Sequence, residues 1–310
     1  MKINLANIKK AKNLLNKSEC IAIPTETVYG LAGNAYSDRA CKKIFKLKKR
    51  PKNNPLIVHY YDFRELKKDC NFDERFIRLY KQFCPGPLTF VLNKKKHSNI
   101  SKIVTNKKNS LAVRFPKHPV TRNLLKNLKF PLAAPSANIS SRVSAVTSAD
   151  VKADFGKKIK YILEGGKSTI GVESTIIDLR KKSKILRLGG LDTKTIERVL
   201  RKKIPLYINP SKISAPGQFK VHYSPGIPIR LNVKKIKKEE AYLLIRKQKV
   251  NKSNYYFLSK NGNLKEAAKN LYSTLRKIKK NKYKSIAVSK IPNKGLGKTI
   301  NDRLLRASKF

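Results

Sequence analysis

Residues 38–59 read DRACKKIFKLKKRPKNNPLIVH, and this stretch contains one complete change from a helical to an extended pattern. Its first half has apolar residues at helical spacing, which predicts a helix over residues 38–49 with Asp38 at the N-cap. Prolines and asparagines then interrupt the period, and LIVH at 56–59 is a short apolar run that predicts a strand. A helix that leads through a proline turn into a strand is typical of mixed α/β folds.

The same alternation continues through the large N-terminal part of the chain. Short apolar runs predict strands at 20–24, 56–59, 89–92, 111–115, 132–135, 161–163, 174–179 and 185–188. Helical periods predict helices that begin at Leu5 and near residues 38, 73, 118, 147 and 192. Because short strands and helices are mixed along the chain, we predict an α/β (α+β) domain built on one twisted mixed sheet.

A change in composition divides the chain into a large and a small part. Between about 205 and 228 prolines and glycines are dense and no period is visible, which predicts an extended linker. Beyond it, further apolar runs predict strands at 241–245, 255–258 and 285–288, and a helical period starts at Leu264. The predicted parts are a large domain at 1–205, a linker at 206–228 and a small α/β domain at 229–310.

The chain is strongly basic along its whole length. Its 310 residues include 72 Lys and Arg against 19 Asp and Glu, a formal net charge of +53. Such an excess favours contact with polyanions such as RNA or nucleotides. Lysine also recurs in segments that carry no other functional signal, so compositional bias is the alternative explanation.

The sequence predicts no metal-binding cysteines and no membrane segment. The four cysteines have no CxxC spacing and no histidine at ligand distance, which argues against a zinc site and a disulfide framework. The basic N-terminus lacks the apolar core of a signal peptide, and the chain has no run of about 18 apolar residues. We therefore expect reduced thiols, no membrane contact and a cytoplasmic location.

Cations and small polar side chains lie at the ends of several predicted strands. The motifs GxSxG and HExxH, which would mark an activated nucleophile or a zinc peptidase, are absent. The candidate residues are Lys48, Arg50, His59, Arg114, Ser136, Asn138, Ser174 and Thr175. An arginine can bind a phosphate or carboxylate through two parallel hydrogen bonds, so this set is suited to an anion-binding cleft.

Several of these residues also have an ordinary structural explanation. Lys48 and Arg50 suit the end of a helix, where cations interact favourably with the helix dipole. His59 can be a satisfied buried histidine, and residues 136–138 can form a simple turn.

Three further charged residues are candidates for the site. Arg114 lies inside the apolar run LAVRF, where an arginine needs an anionic partner. Glu26 and Glu173 each stand beside a threonine or serine at a strand or loop edge. They could ligate magnesium, although a capping or turn role is the simpler explanation.

Eight segments resemble, in chain order, the motifs of one known family. They are PTETVYGLAGNA (24–35), LKKRPKNNPLIVH (47–59), PGPLTFVL (85–92), SLAVRFP (110–116), APSAN (134–138), GVESTIIDL (171–179), ILRLGG (185–190) and PGQFKVHYSP (216–225). The chain resembles the YrdC-like threonylcarbamoyl-AMP synthases in their long form. That form implies a YrdC-like twisted mixed sheet with helices, a linker, and a small C-terminal Rossmann-like α/β domain.

The resemblance also implies an activity. Members of this family convert L-threonine, bicarbonate and ATP into threonylcarbamoyl-AMP and pyrophosphate, with Mg²⁺ bound to the ATP. The adenylate then passes to a threonylcarbamoyl-transferase complex that modifies tRNA. Direct contact with RNA is compatible with the high charge of the chain.

Matching positions imply roles for individual residues. The catalytic set is Lys48, Arg50, Ser136 and Asn138. The ATP contacts are Arg50, Asn54, Ser110, Ser136, Ser144, Arg187 and Tyr223, and no metal ligand is assigned to the protein. The threonine pocket is formed by Thr27, His59, Arg114, Ala134 and Ser174. Because Tyr223 lies in the linker, the resemblance implies that the linker acts as a lid.

Two other functions remain open at the level of sequence. A non-catalytic RNA-binding module with the same fold would also be basic. The carbamoyl-transfer module of hydrogenase maturation shares the fold, but its paired-cysteine zinc fingers are absent from this chain.

Overall fold

The computed structural model describes residues 4–208, 221–249 and 252–309. We refer to residues 4–208 as the N-terminal part and to the remaining described ranges as the C-terminal part. Residues 209–220, which form most of the predicted linker, lie outside the described residues. The lid at 206–228 and the boundaries of the predicted domains therefore stay predictions.

Nine strands of the N-terminal part form one mixed sheet. In chain order they are β1 (Ile21–Ile23), β2 (Gly30–Asn34), β3 (Ile57–His59), β4 (Cys70–Asn71), β5 (Leu88–Lys94), β6 (Ser110–Arg114), β7 (Leu132–Ala133), β8 (Thr175–Asp178) and β9 (Lys184–Arg187). Their order across the sheet is β1-β2-β7-β3-β6-β5-β8-β9, and β4 pairs with β5. The pairs β3–β6 and β5–β8 are parallel and the others are antiparallel. The predicted twisted mixed sheet is confirmed.

The described α-helices occur in both parts of the chain. They are α1 (Leu5–Asn16), α2 (Asp38–Lys48), α3 (Phe63–Leu66), α4 (Glu74–Phe83), α5 (Lys102–Thr105), α6 (Pro119–Lys126), α7 (Ser148–Phe155), α8 (Thr193–Leu200), α9 (Leu264–Lys280) and α10 (Leu296–Ala307). Every predicted helix forms, but the predicted cap of α2 is wrong. The N-cap is Ser37, whose Oγ accepts a hydrogen bond from the Ala40 amide at 3.2 Å.

The predicted strand at 161–163 is also wrong, because only an isolated bridge joins Ile162 to Ala22. Strand β2, with the sequence GLAGN, was missed. Its two glycines give it little intrinsic strand preference, and it exists because it pairs with β1 on one side and β7 on the other.

The register of the sheet gathers polar residues at one edge. His59, Arg114 and Arg187 are the last residues of β3, β6 and β9. His59 is opposite Arg114 in the parallel β3–β6 pair, and Thr89 near the start of β5 is opposite Arg114 on the other side. Since β8 runs parallel to β5 and antiparallel to β9, its first residue, Thr175, lies at the same edge.

The C-terminal part has its own four-stranded sheet. Its strands are β10 (Ile229–Arg230), β11 (Glu240–Arg246), β12 (Tyr255–Ser259) and β13 (Ser285–Val288), in the order β10-β13-β11-β12. All of the pairs are parallel, which requires crossover connections such as α9 between β12 and β13. The predicted C-terminal α/β fold is confirmed.

Phe76→Ala tests the main core of the N-terminal part. Phe76 of α4 is fully buried, and its ring lies 4.8 Å from that of Phe90 and 6.3 Å from that of Phe115. Because the substitution leaves a cavity, we expect the free energy of unfolding to fall by about 3–5 kcal/mol, measured by urea denaturation. Leu305→Ala, at a side chain that is 46% exposed, is the control and should change it by less than about 0.5 kcal/mol. Equal effects of the two substitutions would contradict this packing.

Candidate active site

A cleft opens at the sheet edge where β3, β6 and β9 end. It contains about 530 Å³ of open space, counting the solvent at its mouth. The described residues that line it are Thr25, Val28, Tyr29, Gly30, Arg50, Ile57, His59, Arg114, Ala134, Pro135, Ser136, Glu173, Ser174, Arg187, His222 and Tyr223.

The structure brings together eight of the residues singled out from the sequence. Those that line the cleft are Arg50, His59, Arg114, Ala134, Ser136, Ser174, Arg187 and Tyr223. The other six, which are outside this lining, are Thr27, Lys48, Asn54, Ser110, Asn138 and Ser144. The assigned roles of all fourteen stay predictions, but their contacts decide what each can do.

His59 is a buried histidine whose ring nitrogens have no hydrogen-bond partner among the described residues. Burial, with a further contribution from nearby Arg114, holds its pKa well below the ordinary histidine value, so the ring is neutral. Buried polar groups in proteins are nearly always hydrogen-bonded. An unpartnered ring in the wall of a cleft is therefore suited to bind a ligand.

The anionic partner required by Arg114 is Glu26. Nη2 of Arg114 lies 2.7 Å from Oε1 of Glu26, and both side chains are buried. The other carboxylate oxygen accepts a hydrogen bond from the Lys117 amide at 2.9 Å. Glu26 thus serves as a buried counter-ion, which fixes the guanidinium at the edge of the cleft.

Arg50 is held by the proline turn that follows α2. Its Nε donates to the carbonyl oxygen of Asn54 at 3.0 Å, and its Nη2 donates to Oδ1 of Asn54 at 2.6 Å and to the carbonyl oxygen of Pro55 at 2.8 Å. Burial, followed by the charge of Arg187, lowers the pKa of Arg50 to about 9. Two buried guanidiniums that repel each other attract an anion between them.

Lys48 lies outside the lining of the cleft and binds the turn at residues 136–138. Its Nζ donates to the carbonyl oxygens of Ser136 and Asn138, both at 2.5 Å. Burial, then the charge of Arg50, holds the pKa of Lys48 well below its usual value. The Asn138 amide donates to the carbonyl oxygens of Ile139 and Arg142, while its Oδ1 is buried and has no partner among the described residues.

Ser174 and Ser144 each form hydrogen bonds to other protein residues. Ser174 shares a hydrogen bond of 2.7 Å with Thr89, and its carbonyl oxygen accepts from Nε and Nη2 of Arg187 at 3.1 and 2.9 Å. Ser144 donates to Oε1 of Glu173 at 2.6 Å. Ser144 therefore reaches the cleft only through Glu173.

Thr27 and Ser110 lie further from the centre of the cleft. Thr27 is fully buried and its Oγ1 lies 2.9 Å from that of Thr25, which does line the cleft. Ser110 begins β6, whereas Arg114 ends it, so the two are about 13 Å apart at the usual strand rise.

Glu173 and His222 also line the cleft, although neither was assigned a substrate contact from the sequence. Glu173 was noted only as a candidate metal ligand or cap, and His222 lies in the family-like segment 216–225 without a role of its own. His222 Nδ1 accepts a hydrogen bond from the Tyr223 amide at 2.9 Å. Burial lowers the pKa of His222 to about 3, so it is neutral. Their positions depend on contacts between distant segments, which a local pattern does not contain.

In the part of the chain that the structure describes, no helix combines the length and apolar character needed to cross a membrane.

Two family models together match nearly the whole chain. A model described as "Telomere recombination" matches residues 13–189, and one described as "Threonylcarbamoyl-AMP synthase, C-terminal domain" matches residues 191–309. Curated relatives are similar over the same length. The chain is 34% identical to the threonylcarbamoyl-AMP synthase of Pyrococcus abyssi and 33% identical to that of Bacillus subtilis, in each case over 98% of this chain and 94% of the relative.

A solved structure is similar over the full chain. It is the crystal structure of P. abyssi Sua5 complexed with L-threonine, which matches with a TM-score of 0.91 and 32% identity. The match covers 100% of this chain and 96% of that one.

Glu173→Gln is expected to reduce the acid sensitivity of the fold. Burial acts to raise the pKa of Glu173, but Arg303, Arg187 and Ser144 outweigh it and lower the pKa to about 2. An unfolded glutamate titrates near 4.3, so the stabilisation is complete above about pH 4.5 and is lost as the pH falls toward 2.

The measurement is the free energy of unfolding of wild type and variant between about pH 7 and pH 3. The difference in the free energy of unfolding between wild type and variant should be largest near neutral pH and should shrink by about 2 kcal/mol between pH 7 and pH 3. Glu74→Gln, which removes an exposed carboxylate, is the control and should show no such narrowing. A gap that stays constant with pH would contradict the prediction.

Proposed function

The chain belongs to the threonylcarbamoyl-AMP synthase family, and we propose that it converts L-threonine, bicarbonate and ATP into threonylcarbamoyl-AMP and pyrophosphate. The observation that carries the proposal is the convergence of three buried arginines, Arg50, Arg114 and Arg187, in one cleft. The reaction brings several anions together, and such a cleft is built to receive them.

The chemistry needs positive charge more than it needs a protein nucleophile. A carbamate formed on the threonine amine attacks the α-phosphate of ATP, and pyrophosphate leaves. Two negatively charged groups must approach each other, so fixed cations lower the repulsion and stabilise the charge that develops on the phosphate. Holding carbamate and phosphate in line supplies a further part of the rate.

Arg50 and Arg187 are assigned to the triphosphate. Arg50 donates to two carbonyl oxygens and an amide oxygen, and Arg187 donates to the carbonyl and hydroxyl oxygens of Ser174. Their charges are thus oriented without being cancelled by these contacts. Tyr223, whose buried hydroxyl has no partner among the described residues, is assigned to the same ligand.

Threonine is assigned to the pocket of His59, Arg114, Ala134 and Ser174. The P. abyssi relative was solved with L-threonine, and this pocket combines an unpartnered histidine with an arginine. Nη2 of Arg114 is used by Glu26, but a guanidinium has five N–H donors. The remaining donors can bind the amino-acid carboxylate.

Lys48 and the turn at residues 136–138 are proposed to act together. Because the ammonium of Lys48 is bonded to the carbonyl oxygens of Ser136 and Asn138, its contribution is to fix this turn beside the reacting groups. Ser136 itself lines the cleft. Direct ATP contacts of Asn54, Ser110 and Ser144, and a threonine contact of Thr27, stay predictions.

Mg²⁺ is proposed to enter with ATP, whose phosphate oxygens are ligands that it prefers. Glu26 and Glu173 are paired with Arg114 and Arg303, so neither is suited to bind the ion. In the described ranges no group of three His, Cys, Asp or Glu side chains lies close enough to form a metal site. The ion would neutralise part of the charge on the triphosphate.

The downstream partner and the cellular location follow from the proposed reaction. The adenylate would pass to a threonylcarbamoyl-transferase complex that modifies tRNA, and the cytoplasmic location stays a prediction. Direct RNA contact is best assigned to the groove next to Arg50, which contains Lys42, Lys46, Lys52, Lys102 and Lys107 and no acidic residue in its lining. The comparisons do not favour an RNA-binding module without catalysis.

The purified protein is expected to release pyrophosphate from ATP and Mg²⁺ only when threonine and bicarbonate are both present. Mass spectrometry should identify threonylcarbamoyl-AMP as the second product. Omission of threonine is the matched control. A folded protein that makes no threonine-dependent product would contradict the proposed function.

Arg50→Ala is expected to lower the rate of product formation by roughly 100- to 1,000-fold, because it removes a cation that stabilises the developing charge. Lys52→Ala, at an exposed residue two positions away, is the control and should keep most of the activity. Thermal unfolding of both variants would establish that they are folded. Near-normal turnover in Arg50→Ala would refute the assignment.

A further inference from the structure

Helices α9 and α10 of the C-terminal part pack behind the wall of the cleft, to which His222 and Tyr223 contribute directly. Val143 and Val172 of the N-terminal part belong to the same buried hydrophobic cluster as Leu271 of α9. The backbones also approach closely, because a Cβ on Gly171, at φ +77°, would lie 2.4 Å from the carbonyl oxygen of Lys269. The two parts are therefore packed against each other beside the segment that leads to β8.

Arg303 of α10 joins this interface to two loops of the cleft. Its side chain is fully buried. Nε donates to Oε2 of Glu173 at 2.9 Å, and Nη2 donates to the carbonyl oxygen of Leu188 at 2.6 Å. Glu173 lies just before β8 and Leu188 just after β9, so one guanidinium fixes both loops.

Glu173 lines the cleft and accepts hydrogen bonds from three separate segments. Ser144 donates to Oε1 at 2.6 Å, and the Tyr272 hydroxyl of α9 donates to Oε2 at 2.9 Å, where Arg303 also binds. Both carboxylate oxygens are thus engaged. Two of the three donors come from the C-terminal part.

The same two residues of the C-terminal part hold Tyr223. The guanidinium carbon of Arg303 lies 4.6 Å from the centre of the Tyr223 ring. The Tyr272 ring is stacked on it, with a centroid distance of 5.9 Å and an interplanar angle of 17°. The ring that lines the cleft is therefore fixed by α9 and α10.

We propose that Arg303 is a positioning residue of the ATP site, through which the C-terminal part of the chain completes that site. The inference rests on the proposed function, since it assigns ATP to this cleft. Arg303 is outside the lining of the cleft and acts through Glu173 and Tyr223.

The physical reason lies in the charges of Glu173 and Arg187, which both line the cleft. Without Arg303, the carboxylate of Glu173 remains buried but loses a directly bonded cation. A buried charge without its partner is strongly unfavourable, so the carboxylate pairs with Arg187 instead. Arg187 is then engaged by a carboxylate that competes with the phosphates of ATP, whereas Arg114, the cation of the threonine pocket, stays paired with Glu26.

Arg303→Met should raise the KM for ATP at least about tenfold, the range expected for coupling between distinct sites. The KM for threonine should change less than about twofold, because no ground-state contact to threonine is removed. Both constants are measured from threonine-dependent pyrophosphate release. An unchanged KM for ATP in the folded variant would overturn the proposal.

Arg276→Met is the matched control for loss of an ion pair between the two parts. Nη2 of Arg276 lies 2.7 Å from Oδ2 of Asp154 and also donates to the Val143 carbonyl oxygen at 2.7 Å, and Arg276 does not line the cleft. If both variants lose thermal stability but only Arg303→Met raises the KM for ATP, the positioning role is supported. An equal rise in both would mean that Arg303 only stabilises the interface.

A second substitution tests the competition directly. In Arg303→Met/Glu173→Gln the carboxylate charge is gone, so Arg187 is released and the KM for ATP should fall below that of Arg303→Met. Arg303→Lys keeps a positive charge but lacks the planar guanidinium. Its KM for ATP should therefore lie between those of wild type and Arg303→Met. A double variant that is no better than Arg303→Met would overturn the competition mechanism.

Calorimetric titration with ATP and Mg²⁺ separates this inference from the proposed function. If wild type binds ATP but makes no threonylcarbamoyl-AMP, the proposed function fails and weaker ATP binding by Arg303→Met still supports the inference. If wild type makes the product and both proteins bind ATP equally well, the inference alone fails. If wild type does not bind ATP, both are refuted.

Discussion

The buried carboxylate of Glu173 is the constraint on which the arrangement of the cleft depends. A negative charge that is removed from water requires cations and hydrogen-bond donors around it. Here they come from Arg303, Tyr272 and Ser144, which belong to three segments far apart in the chain. Satisfying this one group therefore docks α9 and α10 onto the loops around β8 and β9. The position of Tyr223 depends on the same contacts.

The cations near the cleft fall into two groups that are held in different ways. Arg114 and Arg303 are paired with carboxylates, so their charges are largely balanced within the protein. In contrast, Lys48 and Arg50 donate to carbonyl and amide oxygens, and Arg187 donates to oxygens of Ser174. These particular contacts orient each cation through dipoles rather than through an opposite charge. An anionic ligand can neutralise this positive charge. Burial, with a further contribution from the charge of Arg187, lowers the pKa of Arg50.

Local patterns predicted most of the fold, and their failures have physical causes. The helical period in residues 38–48 was sufficient for α2, because an amphipathic helix carries its signal in its own sequence. Strand β2 was missed because GLAGN is stabilised by pairing to β1 and β7 rather than by its side chains. Residues 161–163 have the composition of a strand, but Ile162 forms only one bridge with β1. Composition alone does not determine whether a neighbouring strand is present to pair with.

The sequence by itself determined the fold class, the family and half of the residues that line the cleft, because these depend on periodicity and on motifs that are contiguous in the chain. Only the tertiary structure decided how those residues are used. It paired Arg114 with Glu26, placed Lys48 behind the turn at 136–138, and brought Arg303 to Glu173 across 130 positions of sequence. Ion pairs and hydrogen bonds of this kind act over a few ångströms in space and leave no regular spacing in the sequence. The contribution of α9 and α10 to the cleft could therefore be recognised only in the folded chain.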